Sequence, residues 1–255
     1  MSKNLPIYIS LTSIFKNQNL ILQSLQSILK QTKLPDKIFL YLSDNPSFFD
    51  NGFKDKKITN LNLLKLINDN SNIKIIWGKD IGPYGKLLPL LKYKWSENCI
   101  IITIDDDVIY DENLIKNLIN DYNKFKCCIC YRGFSPLFNK FENFSYIKRR
   151  PYTTKLSLHN FATGKGGVLY KPEFFYKTKN LIFNHEIFLN TCDKQDDIWF
   201  YIIRVLNNAR CYIGNKKWSK KDISSHGLFL NFNSKSDNNT VSFKKTAKRL
   251  KELGY

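Results

Sequence analysis

The feature that most constrains the fold is Cys99-Ile100-Ile101-Ile102-Thr103-Ile104-Asp105-Asp106-Asp107, an apolar, largely β-branched run that ends in three adjacent carboxylates. A continuous apolar stretch of this length reads as a buried strand in a parallel sheet covered on both faces. Ionised carboxylates packed side by side repel one another, and burying them is unfavourable unless a cation compensates. A hard divalent metal is therefore one explanation of the triplet. A solvated acidic turn leading into a helix N-terminus at Asp111 and Glu112 is the plain alternative. Ligands of open α/β sheets bind at the carboxyl ends of strands, which makes the other strand ends of this chain informative.

Periodicity on either side of the run builds a repeated β-α pattern. Residues 6–12 read as a strand, and 19–31 as a helix with Leu20, Leu22, Leu25, Ile28 and Leu29 inward. Lys33-Leu34-Pro35-Asp36 stops that helix before a second strand over 37–42. A helix over 58–68, a strand over 73–77 and a helix over 86–93 precede the acid run. A helix over 113–125, capped by Asp111, and strands over 127–131 and 210–214 follow it. The pattern predicts an α/β domain with a mostly parallel central sheet, right-handed crossovers and helices on both faces. No Gly-x-Gly-x-x-Gly follows the first strand, which argues against a dinucleotide-binding domain.

The turns after the strands carry the remaining candidates. Asp44 sits in Ser43-Asp44-Asn45-Pro46, as a turn residue or a ligand contact. Gly78-Lys79-Asp80-Ile81-Gly82-Pro83-Tyr84-Gly85-Lys86 permits close backbone approach, with Lys86 suited to a phosphate. Gly164-Lys165-Gly166-Gly167 precedes a short strand, either as a bulge or as a place where Gly166 and Gly167 let a ligand in. Asp196-Asp197 opens a helix whose Ile198, Ile202, Val205 and Leu206 face inward, and the helix dipole explains one of those acids better than two. His226 opens a polar tail and reads as a solvated side chain or a ligand. Residues 231–240 are polar, and 241–253 form a basic amphipathic helix that docks on the core or meets an anionic membrane. The expected organisation is a domain over 1–230 and an appendage over 231–255.

Composition limits the function classes. A chain of 255 residues with 43% hydrophobic content can bury one sizeable core. No apolar stretch reaches membrane-spanning length and no signal-peptide pattern opens the sequence, so the expectation is a cytoplasmic protein, with peripheral contact at the inner membrane face open to it. The formal charge of +18 attracts anionic partners, yet only six of the 40 cationic residues are Arg. That excess is compositional bias toward Lys rather than a nucleic-acid reading surface, and no nucleic acid is expected as partner. The six Cys lack zinc spacing and read as buried free thiols.

In order along the chain, Ile7-Tyr8-Ile9-Ser10-Leu11-Thr12, Gln31-Thr32-x-x-Pro35-x-x-Ile38, Asp80-Ile81-Gly82-Pro83-x-x-Lys86-Leu87, the acid triplet, Thr163-Gly164-x-Gly166-Gly167-Val168-Leu169-Tyr170 and Asp196-Asp197-Ile198-Trp199 span residues 5–215. This ordered set resembles the GT-A fold nucleotide-sugar glycosyltransferases, close to their family 2-like branch. The resemblance implies a single GT-A-type domain that moves a sugar from a nucleoside-diphosphate donor, UDP-linked, to a glycan or lipid-linked acceptor hydroxyl. By that likeness Asp107 holds Mn²⁺ or Mg²⁺ on the diphosphate, Asp105 contacts the ribose or the metal's water, and Asp106 lies between them. Asp44 corresponds to a nucleobase contact, Asp80 and Lys86 to the donor site, and His226 to a late metal-binding His. Asp196-Asp197 resembles a Glu-Asp pair whose second acid is the general base of an inverting displacement. Here the first acid is Asp, so the choice between the two stays open. The irregular, aromatic and basic segment 132–160 is where the acceptor is expected.

Two other classes compete. A metal-dependent phosphoryl or nucleotidyl transferase uses the same triplet and the Gly-Lys loops, without needing the second acid pair. A basic nucleic-acid-binding module rests on charge alone and is indifferent to the triplet.

Overall fold

In the computed structural model, described over residues 5–46, 50–137, 143–146, 149–150, 154–223 and 237–255, the acid-tipped run lies in the middle of the main sheet. The first strands are β1 (Ile7–Thr12), β2 (Lys37–Leu42), β3 (Ile73–Trp77), β4 (Ile100–Thr103), β5 (Val108–Tyr110) and β6 (Cys128–Cys130). Then come β7 (Gly133–Pro136), β8 (Arg149–Arg150), β9 (Leu156–Ser157), β10 (Phe161–Ala162), β11 (Val168–Tyr170), β12 (Cys211–Ile213) and β13 (Ser219–Asp222). The main sheet has eight strands in the order β3-β2-β1-β4-β11-β6-β12-β9. Neighbours β1/β2, β2/β3, β1/β4 and β6/β12 are parallel. Only β11 and β9 in this sheet run against the rest. The sheet is thus mostly parallel, as the β-α pattern requires.

All four residues of β4 are buried, in register with β1 through pairs such as Ile9↔Ile102. Each buried Ile contributes roughly 1.5–3 kcal/mol relative to exposure, which is why this strand tolerates no polar residue before its end. The helices are α1 (Gln18–Leu29), α2 (Leu61–Asn68), α3 (Leu88–Tyr93), α4 (Leu114–Phe125), α5 (Lys179–Ile182), α6 (His185–Thr191), α7 (Asp196–Leu206) and α8 (Asn238–Glu252). α1 buries Ile21, Leu25 and Ile28 at helical spacing, and α4 buries Leu114, Ile115, Leu118 and Tyr122. Those two helices are tied end to end. The Gln31 amide donates to Asp111 O at 2.6 Å and accepts from Ile115 N–H at 3.0 Å, while Thr32 N–H reaches Glu112 O at 2.8 Å. The Gln31-Thr32 motif therefore supplies partners for the open N-terminus of α4.

Several boundaries differ from the sequence reading, each for a local reason. α2 starts at Leu61 rather than 58, because Asn60 caps it by accepting from Leu63 N–H at 3.0 Å. Asp111 is not the N-cap of α4. Its side chain accepts from Asn113 N–H at 3.0 Å in a turn, and the helix begins at Leu114. A further strand follows the one near 210–214: β13, polar throughout, pairs antiparallel with β5. Segment 132–160 carries β7, β8 and β9, and the stretch 171–191, which shows no clear period, forms a 3-10 turn over Pro172–Thr178 followed by α5 and α6. Buried Arg204 in α7 fixes part of the irregular region by donating to Leu158 O at 3.0 Å and Asn160 O at 2.6 Å.

α8 spends its apolar face on the domain. Phe243, Thr246 and Leu250 are buried, and the helix contacts α6 and α7, so docking on the core is the reading that holds. The six Cys are buried free thiols, as expected. No described helix is long and apolar enough to cross a membrane.

Candidate active site

The strands β1 to β4 all end on one rim, and the turns that follow them bring the predicted acids there. α1 pins the most important of these turns. Ser24 Oγ donates to Asp105 O at 3.1 Å, and Ser27 Oγ accepts from Tyr110 N–H at 3.0 Å. The buried Tyr110 hydroxyl accepts from Asp105 N–H at 2.8 Å and donates to Lys165 O at 3.3 Å, linking the triplet to the Gly-rich run.

With its backbone held, the triplet sends its three side chains to three different partners. Asp105 Oδ1 meets Lys86 Nζ at 2.7 Å. Asp106 accepts from Asn17 Nδ2 at 3.0 Å and from the Ser13 hydroxyl, so it braces the entry to α1. Burial raises its pKa, and those two donors work against the rise. Asp107 Oδ2 lies 3.8 Å from Lys165 Nζ, which itself meets Asp222 at 2.8 Å. Asp107 Oδ1 is buried without a hydrogen-bond partner among the described residues. Burial first, then the charges of Asp105 and Asp106, push the Asp107 carboxyl up to about 6.

The second acid pair converges on the same place from ninety residues downstream. α7 begins at Asp196, whose Oδ2 sits 3.1 Å from Lys86 Nζ as an ion pair without hydrogen-bond alignment. Asp197 Oδ1 accepts from Gly164 N–H at 2.9 Å. A Cβ on Gly164 would stand 2.7 Å from Lys86 Nζ and 3.1 Å from Asp197 Oδ1, so a side chain there would push the ammonium from its place between the acids. Asp105, Lys86, Asp196, Asp197 and Gly164 form one compact cluster.

Its electrostatics follow from the count of charges. Burial opposes a charged Lys86, but Asp105, Asp196 and Asp197 outweigh it and hold the ammonium well above its ordinary value. Asp105 already neutralises that ammonium at the shorter distance. Burial then dominates Asp196, against the pull of Lys86, and raises it to about 8. Asp197 is raised by burial as well, with Lys86 and the Gly164 N–H opposing. Asp196 is buried whereas Asp197 is half-buried.

Other predicted residues stand apart. Asp44 and Asp80 follow β2 and β3 on the same rim. Asp44 accepts from Asn45 Nδ2 at 3.0 Å, and Asp80 from Gly82 N–H at 2.8 Å. The run Gly164–Gly166 forms a 3-10 turn. A Cβ on Gly166 would strike Arg132 Cβ at 2.4 Å, and Gly167 has φ +75°, so the chain's own packing demands both glycines. His226 lies outside the described residues. Among the described residues no three His, Cys, Asp or Glu side chains form a ready-made metal cage. The sequence reading missed Lys165 and Asp222 as partners of Asp107. Lys165 was signalled by its place between glycines, and Asp222 by nothing local, since it arrives on the polar strand Ser219-Lys220-Lys221-Asp222.

No family model matches the sequence. No curated protein matches it either. In fold the chain is similar to S. aureus TarS 1–349, with TM-score 0.54 and 13% identity over 84% of this chain and 59% of that one. It is likewise similar to the same protein in complex with UDP-GlcNAc, with TM-score 0.52 and 11% identity over 88% and 62%. A third likeness is to 4-diphosphocytidyl-2C-methyl-D-erythritol synthase from Anaerococcus prevotii, with TM-score 0.50 and 12% identity over 96% of both chains. The chain thus spans about 59–62% of the TarS structures. At such identities the likeness concerns the fold, a Rossmann-like α/β architecture of the GT-A type.

Proposed function

We propose that this protein is a glycosyltransferase that takes a sugar from a nucleoside-diphosphate donor, UDP-linked, and attaches it to a glycan or lipid-linked hydroxyl with inversion. The observation that carries this reading is the meeting of Asp196-Asp197 with the Lys86–Asp105 pair at the end of β4. An acidic turn with no further role would not draw a second acid pair to itself through a buried lysine. The fold likeness to TarS, crystallised with UDP and with UDP-GlcNAc, supports the donor class.

Asp197 is the general base. It is half-buried, and one of its oxygens is oriented by Gly164 N–H, whereas Asp196 is buried and engaged by Lys86. The acceptor oxygen attacks the anomeric carbon, Asp197 takes the hydroxyl proton, and the bond to the diphosphate breaks with the electron pair leaving on the nucleotide. Lys86 keeps the neighbouring acids from repelling this base out of position. Asp107, whose buried Oδ1 has no hydrogen-bond partner among the described residues, would offer a hard oxygen to Mn²⁺ or Mg²⁺, with the donor's diphosphate supplying further oxygens. Such an ion, when bound, would neutralise charge on the leaving diphosphate. Asp44 and Asp80 line the nucleotide side of the rim.

A second reading, nucleotidyl transfer, has one observation in its favour: the fold likeness to the diphosphocytidyl-methylerythritol synthase covers 96% of both chains. The two readings separate by product. Incubating the protein with UDP-sugars and Mn²⁺ is expected to release UDP, and Asp197→Asn is expected to lower kcat by about 10²-fold or more without weakening UDP binding. Pyrophosphate release from nucleoside triphosphates, with no turnover of UDP-sugars, would replace the first reading by the second.

A further inference from the structure

We propose that the groove at the carboxyl ends of β6 and β12 binds an oxyanion carried by the acceptor, a phosphate or carboxylate on a glycan, with Arg132 as its anchor. The assignment to the acceptor rests on the transferase reading above. The groove has a volume of about 430 Å³ and is lined by residues including Tyr131, Arg132, Lys216, Lys217 and Trp218. That is within the range of small-ligand sites, roughly 300–1,000 Å³. β6 and β12 run parallel to β4, so the groove opens on the same rim as the acid cluster. Its side of the rim is the one away from Asp44 and Asp80. With strands about 4.8 Å apart, β6 lies only about 10 Å across from β4, close enough for one glycan to touch both places.

Arg132 is locked to the base's support. Its Nη1 donates to Thr163 Oγ1 at 2.7 Å, its carbonyl accepts from Thr163 N–H at 3.0 Å, and the next residue, Gly164, holds Asp197. The side chain is nevertheless exposed, and no carboxylate lies within ion-pair distance of it among the described residues. A fixed, exposed guanidinium outside any contact ion pair, felt by Asp197 at longer range, is suited to bidentate capture of an oxyanion. The two lysines are less free, since Lys216 pairs with Asp121 at 3.0 Å and Lys217 lies 3.7 Å from Asp111. Asp121 also accepts from Tyr131 OH at 2.7 Å, which stiffens that wall. Trp218 is half-buried and its carbonyl is held by Asp111 N–H at 3.0 Å, giving an indole platform for a sugar ring.

The test follows the indole N–H of Trp218, assigned by its loss in Trp218→Phe, in ¹⁵N spectra of the full chain. Glycerol 3-phosphate and glucuronate serve as probes, with glycerol and glucose as neutral controls. The expected result is a saturable shift with at least one anion and none with the neutral probes, with the responding anion telling phosphate from carboxylate. Arg132→Gln should weaken that binding tenfold or more, and Arg132→Lys, which keeps charge without the fork, should fall between. Neutral probes acting like the anions, no response to either anion, or anion binding unaltered in Arg132→Gln would overturn the proposal. UDP binding, followed by thermal shift in the same variants, should be unchanged. If anions titrate Trp218 while neither UDP nor other nucleotides bind, the site is an anion site but its assignment to an acceptor is overturned.

Discussion

Two lysine–carboxylate clusters flank the acid triplet, built from the same groups in different amounts of water. Around Lys86, the ammonium and Asp196 are each 8% exposed and Asp105 26%. Around Lys165, the ammonium is 21% exposed, Asp107 17% and Asp222 53%. In the dry cluster three acids share one cation, and removing that cation leaves charges with no compensation. In the wetter cluster solvent screens the contacts, the distances are longer on the Asp107 side, and one ammonium is exchangeable for another cation. The first cluster is a fixed frame for Asp197. On the transferase reading proposed above, the second is where a ligand-borne or free cation would enter.

The largest test of this contrast is Lys86→Met. It strands Asp105, Asp196 and Asp197 beside one another, and the expected loss is roughly 3–5 kcal/mol at neutral pH by urea unfolding. The loss should shrink at pH 5.5, where the acids take up protons; a loss that is small or independent of pH would mean the cluster is wetter than its burial indicates.

Asp107→Asn should act in the opposite direction. Because the folded-state pKa of about 6 exceeds the ordinary value of 3.8, the folded protein holds this proton more tightly than the unfolded chain. Stability from this group is therefore full below about pH 4, declines as pH rises toward 6, and stays reduced above it. The amide removes that decline, so the variant should gain on the order of 1–2 kcal/mol at pH 7.5 relative to wild type, with no gain at pH 4. Equal stability curves for the two proteins would contradict the electrostatic account of Asp107.

Lys165→Met should change stability least, by under about 1 kcal/mol. Its effect should appear instead in the Mn²⁺ concentration needed for half-maximal stabilisation by UDP, which falls when the competing ammonium is gone. A rise in that concentration would show that Lys165 assists the cation rather than competing with it.

The contrast also explains what was legible in the sequence. The frame was readable because β-α units announce themselves locally: Ile100 to Ile104 is one apolar run, Leu25 and Ile28 keep helical spacing, and acids at strand ends share a rim by topology. Even the junction of α1 with α4 left a trace in Gln31-Thr32. The wetter side was not readable. β8, β9 and β10 have two residues each, too few to show a period, and β13 is polar throughout. Asp222 and Arg132 gain their meaning only from tertiary convergence, and no spacing in the chain encodes it. Asp196 and Asp197 are not told apart by sequence because both occupy the first turn of α7; in the structure Asp196 pairs with Lys86 and Asp197 accepts from Gly164 N–H.

The most direct test of the donor site is the thermal midpoint of the wild-type protein with UDP, with and without Mn²⁺, beside the same series for Asp107→Asn. A ligand that binds only the folded form raises the midpoint by an amount set by its concentration over Kd. The expected result is a UDP-induced rise that needs Mn²⁺ in the wild type and is absent in Asp107→Asn. Identical midpoints in every series, with GDP and CDP equally inert, would contradict it and return the triplet to the status of an acidic turn.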